Sequence, residues 1–412
     1  MKILHLTHTD TSHGFNQVIL PIINELDHLG NQNTYFSPEI LRSSSFRYRM
    51  LYQVNKWRIF IEKSLRKIFT HEDYLFYNIL LRLRLISAKT INSHIPFIPD
   101  VIIIYWIDGT LSPNTIFQLA HLTKAKLFWY LMDEAPLTGG CHYSWNCPNY
   151  KIDCNNCPAF SNKILKTIIA KGNLKSKQMF LSKLDIQFIG ANRAMESMTK
   201  QSSVFHNSRY HFLPLGINPE KFYPHPKYQV GSKRKFLIGS PKIKDKRKGF
   251  SEFISALKIA IEIDPELIEK MKIIVVGDLN EQIECSGLEV EIKGYLTENE
   301  LANSYRDSDF FISPSLQDAG PFMINQAMGC CLPILSYSIG FAKDVIMTEI
   351  TGYCAQQNQV ADLAKGLIYL ANCPTNHILE MRKNVADFRQ RYLINKNNAE
   401  KLIQLLNQKL IH

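Results

Sequence analysis

Short continuous apolar runs alternate with longer stretches of helical spacing along most of the chain, as expected of strands covered on both faces and helices covered on one. Residues 1–8 read as a short alternating strand. His13-Gly14 then opens an amphipathic stretch with Val18, Ile22, Ile23, Leu26 and Leu29 on one face, closed by Gly30. The runs at 101–105 and 126–131 are apolar nearly throughout, and 186–190 is a fourth strand. A connector punctuated by Pro and Gly follows at 213–219, and a second series begins after it. That series has strands at 235–239, 272–277, 290–294, 309–313 and 333–336, with helices at 250–263, 298–307 and 322–329. The succession of strand, loop and helix predicts two α/β halves with parallel sheets joined by one hinge. The expected bounds are 1–215 for the first half, 216–375 for the second, and 376–412 for a helical tail that packs back on the first.

Residues 42–95 break this pattern. Eleven Lys and Arg stand there against Glu62, Glu72 and Asp73, and supply most of the formal +11 of the 412-residue chain. Aromatics such as Phe46, Trp57, Phe60, Phe69 and Tyr77 are mixed among them. A cationic surface with apolar side chains suits an anionic bilayer. The plainer alternative is an insertion whose cations are solvated on outer helix faces. The apolar start of the chain is too short for a signal peptide or a span. The expected location is therefore cytoplasmic, peripherally associated with the inner membrane.

The densest candidate chemistry lies at 313–333. Small residues there turn an apolar strand into a helix whose free N–H groups and dipole face an anion, as a diphosphate requires. Asp318 at the turn and Gln326 two turns into the helix offer polar groups to a sugar and a ribose. The alternative is an ordinary loop with a capping Asp. Upstream, Arg247 and Lys248, with Lys242 before them, form a basic turn.

This segment resembles the donor-binding core of glycosyltransferase family 4, where two glutamates with seven residues between them precede a stretch of small residues and proline. The pair stands here as Asp318 and Gln326. Asp keeps a charged acceptor with less reach, and Gln keeps one acceptor and adds a donor. Other pieces follow in the family's order: 215–218 with Phe222 and Pro224 as its hinge, 246–250 as its basic turn, and Gly294-Tyr295 through Ser313 beside its nucleotide base. His13-Gly14 stands where the family carries a double glycine. The resemblance implies an α/β GT-B fold of two facing Rossmann-like domains with parallel sheets and an interdomain cleft. It also implies retention of anomeric configuration and no catalytic cofactor. Donor contacts are implied for Gly14, Lys242, Arg247, Lys248, Tyr295, Asp318, Gly320, Pro321, Phe322, Met323 and Gln326. Asp133, Asp318 and Lys248 are implied as the catalytic residues.

Residues 132–158 are similar to a cysteine-bearing loop in exopolysaccharide and colanic-acid-type members of that family. Those usually carry His-Asp where this chain has Met132-Asp133, so Asp133 stays near the acceptor and the histidine is missing. Thr138, Gly139 and Gly140 would let the backbone approach an acceptor sugar. Cys141, Cys147, Cys154 and Cys157 end in a CxxC, the usual half of a structural zinc site, with His142 as an alternative ligand. Reduced thiols packed by Trp145 and Tyr150 are the other reading.

The function expected from these signals is transfer of a sugar, by an enzyme of the hexosyltransferase class, from a nucleotide-sugar donor to a glycan, lipid-linked acceptor in bacterial surface polysaccharide biosynthesis. One alternative keeps the GT-B fold in a non-catalytic partner of another transferase, which the replaced glutamates allow. The other is a zinc-containing nucleic-acid-binding protein, which needs cations and aromatics interleaved near the cysteines. Residues 141–158 hold Lys151 alone, so no nucleic acid partner is expected.

Overall fold

The computed structural model describes residues 1–408 except 13, 82–84, 240–244, 278–282, 284–285 and 321. The chain forms two compact units, Met1–Leu213 with the chain from Ala399 onward, and Pro214–Asn398. In the first unit the strands are β1 (Lys2–Leu6), β2 (Gln32–Phe36), β3 (Val101–Ile104), β4 (Lys126–Leu131), β5 (Ile186–Gly190) and β6 (Tyr210–Phe212). They pair in parallel in the order β2-β1-β3-β4-β5-β6. Its helices are α1 (Leu20–His28), α2 (Phe46–Phe69), α3 (Ala88–Asn92), α4 (Pro113–Thr123), α5 (Lys163–Phe180) and α6 (Arg193–Gln201).

β1 is buried along Ile3–Leu6 and does not alternate, because it lies inside the sheet between β2 and β3. The polar residue that suggested alternation, His5, sits in the core with its ring nitrogens 3.2 Å from the Tyr105 hydroxyl and 3.0 Å from Asn33 Oδ1. Burial lowers its pKa to about 4, with Asn33 and Asp27 opposing, so it is neutral at pH 7. A π-helical turn at Phe15–Ile19 leads into α1.

The second unit holds β7 (Arg234–Gly239), β8 (Met271–Val276), β9 (Glu289–Ile292), β10 (Phe310–Ser313), β11 (Ile334–Tyr337) and β12 (Gly352–Ala355), all parallel in the order β12-β11-β10-β7-β8-β9. Its helices are α7 (Phe250–Ile263), α8 (Leu267–Lys270), α9 (Glu298–Arg306), α10 (Phe322–Gly329), α11 (Gly340–Val345), α12 (Val360–Ala371) and α13 (Thr375–Tyr392). Phe236, Phe253, Leu257, Ile273, Phe310 and Leu367 centre its core. α14 (Asn395–Asn407) starts in this unit and ends in the first, where Leu402 and Leu406 are buried and Lys126 Nζ donates to the Leu406 carbonyl.

α2 reverses the usual polarity of a surface helix. Its covered side holds Asn55, Arg58 and Glu62, with Arg58 Nη1 3.1 Å from Glu62 Oε2. Its exposed side carries Phe46, Met50, Val54, Trp57, Phe60 and Ile68, with Trp57 65% and Phe60 61% exposed. No described helix is long and apolar enough to cross a membrane.

Candidate active site

In parallel α/β sheets, ligands gather beyond the carboxyl ends of the strands. In the first unit a cavity of about 470 Å³ lies there, reached by His8 after β1, Trp106 and Asp108 after β3, and Asp133 after β4. Asp133 is 2% exposed. Its Oδ2 accepts from Trp106 Nε1 at 2.5 Å and lies 2.7 Å from His142 Nδ1, while Oδ1 accepts from the Ala135 backbone at 2.8 Å. His142 Nε2 lies 3.3 Å from Asp108 Oδ2, an ion-pair distance without hydrogen-bond alignment. Asn78 Nδ2 donates to the other Asp108 oxygen at 2.5 Å.

The imidazole therefore spans two carboxylates. Burial opposes its charge, but Asp133 and Asp108 outweigh that and raise its pKa to about 10. Burial likewise opposes the Asp108 charge, and the contact with His142 lowers that carboxyl to about 2. At neutral pH His142 is a cation with a proton on both nitrogens, a donor and not a base. His142, ten positions after Met132, reaches Asp133 from the following loop.

Packing sets that loop. Lys177 of α5 is buried and donates from Nζ to the carbonyls of Ala135 and Thr138, and Asn173 Nδ2 donates to those of Asn78 and Gly139. A Cβ on Gly139 would lie 2.5 Å from the Ala170 carbonyl oxygen of α5, and one on Gly140, at φ +134, 2.8 Å from the Phe76 ring. Thr138, Gly139 and Gly140 are all buried, so their close approach is to α5 and Phe76. Thr138 Oγ1 donates to the Cys141 carbonyl. From α2, Glu62, Lys63 and Arg66 reach the cavity, with the Arg66 guanidinium 4.2 Å above the Tyr77 ring. Gly14 also lines it, against the Trp106 ring.

In the second unit the loop from β10 to α10 meets the basic turn at 246–248. Lys248 Nζ lies 3.0 Å from Asp318 Oδ2, and Asp318 Oδ1 accepts from the Gly320 backbone at 3.1 Å. Gly249, at φ +63, permits the approach, because a Cβ there would lie 1.8 Å from the Pro314 carbonyl oxygen. The Leu316 N–H donates to the Arg247 carbonyl at 2.7 Å, and the Arg247 side chain is buried 2.6 Å from Asp245. Met323 packs on Gly239 at the end of β7. Phe322 opens α10, whose first-turn N–H groups favour an anion.

The structure thus joins Lys248, Asp318 and Gly320 in one contact set, and it buries Gln326 within α10. Tyr295 is 72% exposed before α9. Lys242, Pro321 and His13 lie outside the described residues. Sequence reasoning missed Trp106, Asp108 and the partnership of His142 with Asp133. The first two follow directly on an apolar strand run, the position where parallel sheets place ligands, and that signal would have found them.

Residues 225–391, within the second unit, match the family described as glycosyl transferases group 1. No curated protein sequence matches the chain. Among solved structures, the chain is similar to sucrose-phosphate synthase from Thermosynechococcus elongatus, at 14% identity over 98% of both chains with a TM-score of 0.62. It is similar to HepE from Anabaena in complex with UDP and glucose, at 14% identity over 98% of this chain and 99% of that one, with a TM-score of 0.60. A glycosyltransferase from Rickettsia africae ESF-5 is similar at 14% identity over 98% and 97%, again with a TM-score of 0.60. The fold is GT-B, and the group 1 match supports a glycosyltransferase.

Proposed function

We propose that this chain is a retaining hexosyltransferase of family 4 that moves a sugar from a nucleoside diphosphate donor to a lipid-linked glycan in surface polysaccharide biosynthesis. The observation that carries this reading is the Lys248–Asp318 ion pair at the turn into α10, inside the segment that matches the group 1 family. Lys248 and the α10 N-terminus supply positive potential where a diphosphate leaving group gains charge, with no metal needed. Asp318 accepts a sugar hydroxyl and holds Lys248 in place. The complex of Anabaena HepE with UDP and glucose supports a nucleotide sugar as donor.

The acceptor enters the cavity around Asp133, where His142 and Trp106 orient that carboxylate. The apolar stripe of α2, flanked by exposed Arg47, Arg49, Lys56, Lys63 and Lys67, supports docking on the anionic inner leaflet where a lipid-linked acceptor is anchored. Asp318→Ala and Lys248→Ala should each lower transfer by about 100-fold or more, the usual cost of one electrostatic stabiliser. Both should still fold, Lys248→Ala with a midpoint near that of the wild type and Asp318→Ala with a modestly lowered one, because the Asp318 carboxylate is largely covered and takes the Gly320 amide. Wild-type turnover by either variant contradicts the assignment.

A further inference from the structure

The cysteine-bearing loop contains only one short 3-10 turn, Asn149–Lys151, between β4 and α5. Four of its side chains, Cys141, Cys147, Cys154 and Cys157, line a single cavity of about 10 Å³, room for about one small ion or water. Three of the four are buried and Cys147 is half-buried. The other described cysteines, Cys330, Cys331, Cys354 and Cys373, lie in the second unit.

Backbone amides face three of the four sulfurs. Amides of Asn149, Gly139 and Ala159 interact with Cys147, Cys154 and Cys157 respectively. Lys177 and Lys166 lie near enough to Cys154 and Cys157 to offset negative charge. Cys154 and Asn156 adopt left-handed backbone at φ 52 and 51, turning the CxxC back on itself so that both sulfurs face the cavity. His142 is withdrawn from the set, its ring nitrogens facing Asp133 and Asp108.

We propose that Cys141, Cys147, Cys154 and Cys157 bind one structural zinc ion. Four soft ligands on one loop suit a closed tetrahedral site. Binding replaces four S–H bonds by four Zn–S bonds and releases four protons to solvent, with no change of oxidation state. A zinc about 2.3 Å from each sulfur sets neighbouring sulfurs about 3.8 Å apart. Among the described residues, no three of the four sulfurs lie within 4.8 Å of one another. Metal binding therefore draws the four sulfurs together. The ion holds together the loop that carries His142 and takes no part in bond breaking.

The test is metal analysis of the full-length protein produced with zinc supplied. We expect about one zinc per chain, falling several-fold in both Cys154→Ser and Cys157→Ser and unchanged in Cys354→Ser. If the serine variants do not fold, cobalt exchanged into the wild type decides: thiolate-to-cobalt charge-transfer absorption with the intense visible bands of a tetrahedral site is expected. Three results overturn the proposal: wild-type protein without zinc, whether its four cysteines are reduced or disulfide-bonded; zinc that survives both serine substitutions; or a cobalt spectrum without thiolate absorption.

Discussion

The imidazole of His142 is buried against two carboxylates, and the competition between desolvation and those charges decides its protonation. A histidine whose folded pKa is raised to about 10 stabilises the fold fully below its unfolded value near 6.5. That contribution is lost as pH rises through 10. The difference in unfolding free energy between the wild type and His142→Gln should therefore shrink steadily between pH 7 and pH 10, as read from urea midpoints at fixed pH. A difference independent of pH contradicts the assigned charge. Asp108 runs the opposite way, contributing above its ordinary carboxyl range and losing that as pH falls toward 2. Gly139 tests the loop from its other side. Gly139→Ala forces a methyl against the Ala170 carbonyl oxygen and should cost about 1–3 kcal/mol in a urea or thermal melt. In the sequence this glycine reads as room for a sugar, because a tight backbone approach looks the same whether the neighbour is a ligand or a helix. Asp133, Lys248 and Asp318 were named through the order of motifs in the resemblance, and the structure places the last two in contact. The 70-residue separation of the last two hid their ion pair.

α2 shows how far an element can be read without its surroundings. Its composition was legible as basic and aromatic, but not which face was covered. Arg58 is buried with Glu62, and Arg66 turns to Tyr77 and the cavity, so neither belongs to a solvent-facing cationic surface. Trp57→Ser with Phe60→Ser, or reversal of Arg47, Arg49 and Lys67 to Glu, should release the protein from anionic vesicles at low salt and leave donor hydrolysis intact. Sedimentation with vesicles measures it, and a wild type that does not bind them removes α2 as the docking element. Strands follow a similar rule. The inner strands β3, β4, β8 and β10 were plain as continuous apolar runs, since both faces are covered. β2 and β6, at the two edges of the first sheet, carry Gln-Asn-Thr and Tyr-His and gave no such signal. β12, at the edge of the second, is four residues beginning at Gly352 and gave no continuous apolar run either.

At the scale of the whole chain, two repeated sheets divide the chemistry. The first unit gathers Asp133, His142, Asp108 and Trp106 at the ends of its strands, and the second gathers Lys248, Asp318 and the α10 N-terminus. The sequence reading expects a Pro- and Gly-punctuated connector and a helical tail from 376 that returns to the first half; in the structure α13 and the start of α14 belong to the second unit, and the return comes at Ala399, with Leu402 buried in the first. The proposed reaction needs a nucleotide sugar bound by the second unit, and binding to the native state raises the thermal midpoint by mass action. The most direct measurement is therefore a panel of nucleotide sugars tested for thermal stabilisation and slow hydrolysis, with wild type and Asp318→Ala side by side. The account predicts that at least one donor raises the wild-type midpoint and is hydrolysed, and that Asp318→Ala loses the hydrolysis. A panel in which no nucleotide sugar is bound or hydrolysed, or in which Asp318→Ala hydrolyses the donor as the wild type does, contradicts it.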